Sequence, residues 1–299
     1  MRPALFDQTV TEISEEDDES EAWTPLQLAA SAGDLSRVLL LLKQGASPNE
    51  LPRGFYGKTA LQAASVAGNL EVVKALLTAG SEVDAAGGNN GGRTALCVAA
   101  MAGHDEVVDC LLSAGADINT PPHRYMGRTP LQSACEGGNL QLVEKLIQRG
   151  AVINGRIAHS YGRTSLQGAA EAGHEKVVEY LIHAGAEINT PASKYRGFTA
   201  LQAAASVGNV AIIGQLLDAG ANVNAPSGYF KSNTALAAAA ENGHSEVVGL
   251  LLNAGANPSM PSGNKGQQCV SLAIAKGHVE IAEMILRSTS SSRLHQVAD

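Results

Sequence analysis

The sequence predicts an all-α solenoid of about eight helix-turn-helix units with long projecting hairpin loops. Three observations lead there. Thr24-Pro-Leu-Gln recurs as Thr59-Ala-Leu-Gln, Thr94-Ala-Leu-Cys, Thr129-Pro-Leu-Gln, Thr164-Ser-Leu-Gln, Thr199-Ala-Leu-Gln and Thr234-Ala-Leu-Ala, each step being 35 residues. A glycine closes the segment after each motif, and a Val-Val-x-x-Leu-Leu stripe or a close variant follows it. The 299 residues would also accommodate one to three globular domains, but the composition favours the array. Hydrophobic residues make up 44% and aromatic ones only 4%, which suits thin, closely packed helices and not a core built on aromatic plugs.

Each element of the unit follows from its residues. Thr is a helix N-cap, and Pro25 and Pro130 fall in the first turn, where a missing N–H is harmless. A short Ala-rich helix then runs to Gly33, Gly68, Gly103, Gly138, Gly173, Gly208, Gly243 or Gly277, placed to take the left-handed terminal position. Asp34, Asn69, His104, Asn139, His174, Asn209, His244 or His278 comes next and is expected to cap the second helix. Val72, Val73, Leu76 and Leu77 exemplify one buried face on that helix. An eighth, degenerate unit starts near Gln268, with Val270, Ala273 and Gly277 in register.

These motifs resemble ankyrin repeats over residues 24 to about 287, in 35-residue units similar to arrays of filamentous fungi. Two departures stand out: Gln62, Gln132, Gln167 and Gln202 replace the family's usual His after Leu, and the period exceeds the commoner 33. Gln is expected to bridge backbone groups between neighbours, and the two extra residues fall in the loops. The resemblance implies a curved rod about 70 Å long, in which each pair buries its apolar face only by stacking on the next. It also implies a module that binds another protein, as a monomeric adaptor or scaffold in the cytoplasm or nucleus, and not an enzyme.

The array is expected over 23–287, with units starting near 24, 59, 94, 129, 164, 199, 234 and 268, flanked by an acidic leader (1–22) and a Ser-rich tail (288–299), both without periodicity and expected to be mobile. The leader carries −7 of the net charge of −8, through Glu12, Glu15 to Glu19, Glu21 and Asp7, leaving the body at −1. That balance, with an acidic stretch in the groove, argues against nucleic acid as partner. The leader's alternative role is to fold over the basic loops as a weak competitor. No secretory h-region and no apolar run of membrane-spanning length is visible. Cys97, Cys110, Cys135 and Cys269 are too scattered for a disulfide framework or metal site, so reduced thiols, no metal and no cofactor are expected.

The loops hold Phe55, Tyr56, Tyr125, Tyr161, Tyr195, Phe198, Tyr229 and Phe230, eight of the eleven aromatics. They also hold Arg53, Lys58, Arg93, Arg124, Arg128, Arg156, Arg163, Lys194, Arg196, Lys231 and Lys265, eleven of the 21 Lys and Arg. Aromatic plus Arg is the composition of interface anchors. The other reading is that each ring props up a neighbouring loop. Rings one repeat apart lie about 10 Å from each other, too far for direct stacking, so contact with a neighbour's backbone or with a partner is expected.

The residues before each helix-ending Gly are the second candidate surface: apolar at Val66 and Met101, then acidic at Glu136, Glu171 and Glu241, matching a partner with an apolar segment followed by Lys or Arg. Solvated helix-forming Glu is the bland alternative. An atypical enzyme or small-molecule binder would use Glu136, Glu171 and Cys135, but carboxylates one repeat apart in a shallow groove are poorly placed for paired catalysis. Gly87 to Thr94 nearly spells a phosphate loop, yet Gly-Arg-Thr recurs as ordinary repeat grammar. The partner-binding set is therefore Phe55, Tyr56, Val66, Met101, Tyr125, Arg128, Glu136, Tyr161, Arg163, Glu171, Tyr195, Arg196, Tyr229, Phe230 and Glu241.

Overall fold

The computed structural model describes residues 23–52, 57–88, 92–193, 197–226, 233–262 and 268–296, with side chains to 289. The leader, and the expectations placed on Phe55, Tyr56, Tyr195, Arg196, Tyr229 and Phe230, lie outside the described residues. First helices are α1 (Pro25–Ser31), α3 (Ala60–Ala67), α5 (Ala95–Ala102), α7 (Pro130–Gly137), α9 (Ser165–Ala172), α11 (Ala200–Val207), α13 (Ala235–Asn242) and α15 (Cys269–Ala275). Second helices are α2 (Leu35–Lys43), α4 (Leu70–Thr78), α6 (Asp105–Ser113), α8 (Leu140–Gln148), α10 (Glu175–His183), α12 (Val210–Asp218), α14 (Ser245–Asn253) and α16 (Val279–Gln296). First helices pack on first helices and second on second, making two layers that share one continuous core.

The threonines start the first helices through a reciprocal cap. In five units, including Thr59/Gln62 and Thr129/Gln132, the Thr hydroxyl accepts the Gln N–H while Gln Oε1 accepts the Thr N–H. The same Gln then donates Nε2 to the chain entering the next loop, as from Gln62 to the Ala85 carbonyl (2.8 Å) and from Gln132 to that of Arg156 (3.0 Å). One amide thus caps its own helix and holds the chain leaving the same unit for the next finger, so the bond is made within the unit and not, as expected, between neighbours. Where the sequence offers Cys97, the thiol donates to the Arg128 carbonyl (3.2 Å). Thr234 instead bonds Ser262 (3.0 Å).

The helix-ending glycines take positive φ, from 71° at Gly33 to 84° at Gly277. In α4, α6, α8, α10, α12 and α14 the first three stripe residues, such as Val72, Val73 and Leu76, are fully buried, each contributing about 1.5–3 kcal/mol of burial, whereas in α2 only Val38 is. The fourth, Leu77, is only half-buried because it lies at the edge of the layer.

Two expectations change. Asp34, Asn139 and Asn209 cap their helices, accepting N–H bonds at 3.0–3.1 Å, but Asn69, His104, His174 and His244 do not. The histidines turn back to the preceding repeat, where Nε2 meets the carbonyls of Val66 (3.0 Å), Glu136 (3.0 Å) and Ser206 (3.1 Å). Their rings cover Gly68, Gly138 and Gly208, where a Cβ would come within 2.6 Å of the ring. Helix α16 continues through the Ser-rich stretch expected to lack order, and the Ser288 and Thr289 hydroxyls donate back to the Ile285 and Leu286 carbonyls (2.7 Å each).

Candidate binding surface

Loops 120–128 and 155–163, fingers 3 and 4, project between α5 and α7 and between α7 and α9. Each closes tightly on itself: a Cβ at Gly127 would sit 2.2 Å from His123 N, and one at Gly162 2.2 Å from the Ala158 carbonyl. The turn before each of these glycines needs a residue at positive φ, Met126 at 55° and Tyr161 at 57°. A parallel bridge joins the fingers, Met126 N donating to Ser160 O (3.1 Å) and Ser160 N to Arg124 O (3.3 Å).

The Tyr125 and Tyr161 rings meet with centroids 5.5 Å apart, tilted by 57°. Direct ring contact was not expected from the repeat spacing. It occurs because Tyr161 stands one place later in its finger than Tyr125, so its ring reaches back over the gap. The bracing reading of these two rings therefore holds, although Tyr125 still keeps 44% of its surface exposed.

The arginines preceding Thr129 and Thr164 also differ from expectation. Arg128 and Arg163 were placed among partner-facing residues, but their side chains are 10% and 7% exposed. Arg128 Nε donates to Glu136 Oε1, and its Nη1 donates to the carbonyls of Gly127 (3.1 Å), Met126 (3.3 Å) and Tyr161 (3.1 Å). Burial pulls the Arg128 guanidinium below its usual range, partly offset by the Glu136 charge. Arg163 grips Glu171 with Nε (2.6 Å) and Nη2 (3.3 Å), and its guanidinium stacks 4.7 Å over the Phe198 ring.

The acidic stretch of the first-helix face is consequently compensated from within. Glu136 also accepts from Arg93 Nη2 (3.0 Å), which lies against the Met101 sulfur on the way, and Glu241 accepts from Asn233 Nδ2 (2.6 Å). A partner cation would have to displace these donors, so the expected match to Lys or Arg at Glu136 and Glu171 is withdrawn. Arg93 serves this pairing, as a phosphate-loop reading of the segment would not require. Val66 and Met101 are exposed on the first-helix face, as expected. Beside Val66, a depression of about 250 Å³ is lined by Trp23, Ser31, Lys58, Ala63 and Ala67, with the Lys58 ammonium 5.4 Å from the Trp23 ring centre.

The residues named for groove chemistry are engaged elsewhere. The Cys135 thiol is buried, and burial pushes its pKa far up, the opposite of what a nucleophile needs. Glu136 is paired with Arg128 and Arg93, and Glu171 with Arg163. Among the described residues there is no cluster of three or more metal-ligating side chains, and no helix is long and apolar enough to cross a membrane.

A second set of contacts was not foreseen. Just before the fingers, Asn49, Asn119, Asn154, Asn189 and Asn224 each donate Nδ2 to a glycine carbonyl in the next repeat (2.8–3.0 Å). Each also accepts an N–H from the residue two places beyond that glycine (2.8–3.0 Å). Their 35-residue spacing was available in the sequence as a signal, interrupted at Asp84.

Sequence comparison matches a family model described as ankyrin repeats, in three-copy blocks, to residues 4–87, 26–122, 120–192, 159–227 and 201–294. No curated protein matches the chain.

Proposed function

The chain belongs to the ankyrin-repeat family, and from that premise we propose that it is an adaptor gripping another protein with its first-helix face and fingers. Ankyrin repeats are generally protein-protein interaction modules and typically non-enzymatic. The observation that supports the reading best is the braced pair of fingers 3 and 4. Bridged backbone, stacked tyrosines and inward arginines hold Tyr125 and Met126 outward without the ordering cost that a floppy loop brings to binding. Val66 and Met101 continue that apolar surface onto the first helices. A reducing compartment such as the cytoplasm or nucleus fits the four free thiols.

The test is quantitative capture of partners from cell extract by the full chain and by the variant Val66→Ser/Met101→Ser/Tyr125→Ala. The variant is expected to lose the partner that the parent enriches while unfolding as cooperatively as the parent. Equal recovery by both chains overturns the proposal.

A further inference from the structure

The seven finger loops between residues 51 and 267 hold eleven Lys and Arg and not one Asp or Glu. Six of those cations are described, and they divide. Lys58, Arg93, Arg128 and Arg163 are spent inside the molecule, on the Trp23 ring, Glu136 and Glu171. Arg124 and Arg156, on fingers 3 and 4, are exposed and have no ion-pair partner among the described residues. Arg124 adjoins the exposed Tyr125 and Met126 at the turn of finger 3, and Arg156 stands at the start of finger 4, where its carbonyl accepts from Gln132 Nε2.

From this division we propose that an acidic peptide segment of the partner lies across fingers 3 and 4, its carboxylates on Arg124 at the tip of finger 3 and on Arg156 at the entry of finger 4, with an apolar side chain on Tyr125 and Met126. The proposal rests on the adaptor reading and names the chemistry of what is gripped. The inward ion pairs matter to it in two ways. They offset the first-helix carboxylates Glu136 and Glu171 that would otherwise repel the peptide, and the bonds from Arg128 to carbonyls fix the finger backbone from which Arg124 extends. A chain of net charge −8 is a poor attractor for a continuous polyanion, whereas a short acidic segment senses mainly the charges within a Debye length.

The experiment is fluorescence anisotropy of a labelled Glu-Glu-Asp-Leu-Asp-Glu-Glu peptide titrated with the full chain. Beside it run the same peptide with every acid replaced by Lys and a labelled oligothymidylate. Saturable binding of the acidic peptide is expected, weakening as salt rises. Arg124→Ala/Arg156→Ala is expected to lower its affinity roughly tenfold, and Arg124→Lys/Arg156→Lys to recover most of it. Absent binding, equal binding of the Lys peptide, tighter binding of the oligonucleotide, or an alanine pair that binds like the parent overturns the inference. A captured partner lost by Val66→Ser/Met101→Ser/Tyr125→Ala but retained by Arg124→Ala/Arg156→Ala overturns the acidic-segment inference alone and leaves the adaptor standing.

Discussion

Finger 3 contains two arginines within one turn of chain, Arg124 exposed at the tip and Arg128 drawn in at the base, where it is bound to Glu136 and to three carbonyls. Finger 4 likewise has one exposed arginine, Arg156 at its entry, and one drawn in, Arg163 held by Glu171. Identical chemistry is used for cohesion at one place and left available to solvent at the other. The difference is set by whether a carboxylate on the following helix lies within reach. Loop composition by itself therefore overstates how much of an ankyrin finger is available to a partner.

The largest effect that would separate the two kinds of arginine is expected at Arg128. Truncation in Arg128→Ala removes the donor to three finger carbonyls and leaves Glu136, itself 18% exposed, with Arg93 alone. Losing a nearly buried charged partner is expected to cost about 2–3 kcal/mol, read as a lower urea midpoint. Arg128→Lys is expected to recover only part, because an ammonium cannot span the carboxylate and the carbonyls together. A midpoint within error of the parent would break the comparison, since Arg128 would then be no more structural than Arg124.

Arg163→Ala should follow with a smaller loss. Its partner Glu171 is 43% exposed, so water takes over much of what the guanidinium supplies, and the stacking on Phe198 is the remainder. A destabilisation of about 1–2 kcal/mol is expected, read in the same titration. If Arg163→Ala outweighs Arg128→Ala, burial of the carboxylate is not what ranks these ties.

The repeat was legible because each of its signals is local: Thr three residues before Gln, a glycine ending each helix, a valine pair after it. Which way an arginine points was not. Arg128 and Glu136, like Arg163 and Glu171, stand eight residues apart across a loop-to-helix corner, so the periodicity of no single element relates them. A trace of it was nonetheless present in the chain itself. Units with Glu two places before the terminal glycine have Arg or Asn eight residues earlier, as at Arg128, Arg163 and Asn233, whereas Val66, Met101 and Ser206 are preceded by Lys58, Arg93 and Phe198, of which only Arg93 also touches its own residue, Met101, while pairing with Glu136. The histidines misled for a related reason: a residue at a cap position can make its bond to the previous repeat, and no property of its own helix reveals that.

The asparagine edge supplies the smallest and most controlled measure of what one inter-repeat tie is worth, against which the inward arginines can be ranked. At Asp84 the column keeps half its function: Oδ2 accepts the Asp117 N–H (3.0 Å), but an ionised carboxylate has no proton to give the Gly115 carbonyl, where its asparagine counterparts donate. Asp84→Asn should complete the pair without altering the shape of the side chain. At this exposed edge a gain of about 0.5–1 kcal/mol is expected, visible as a raised urea midpoint. In a solenoid whose stability is a sum of neighbour interfaces, that gain belongs to the junction between the second and third units. An unchanged or lowered midpoint would mean that water already serves Gly115 as well as an amide would, and the column would then report register between repeats and not cohesion.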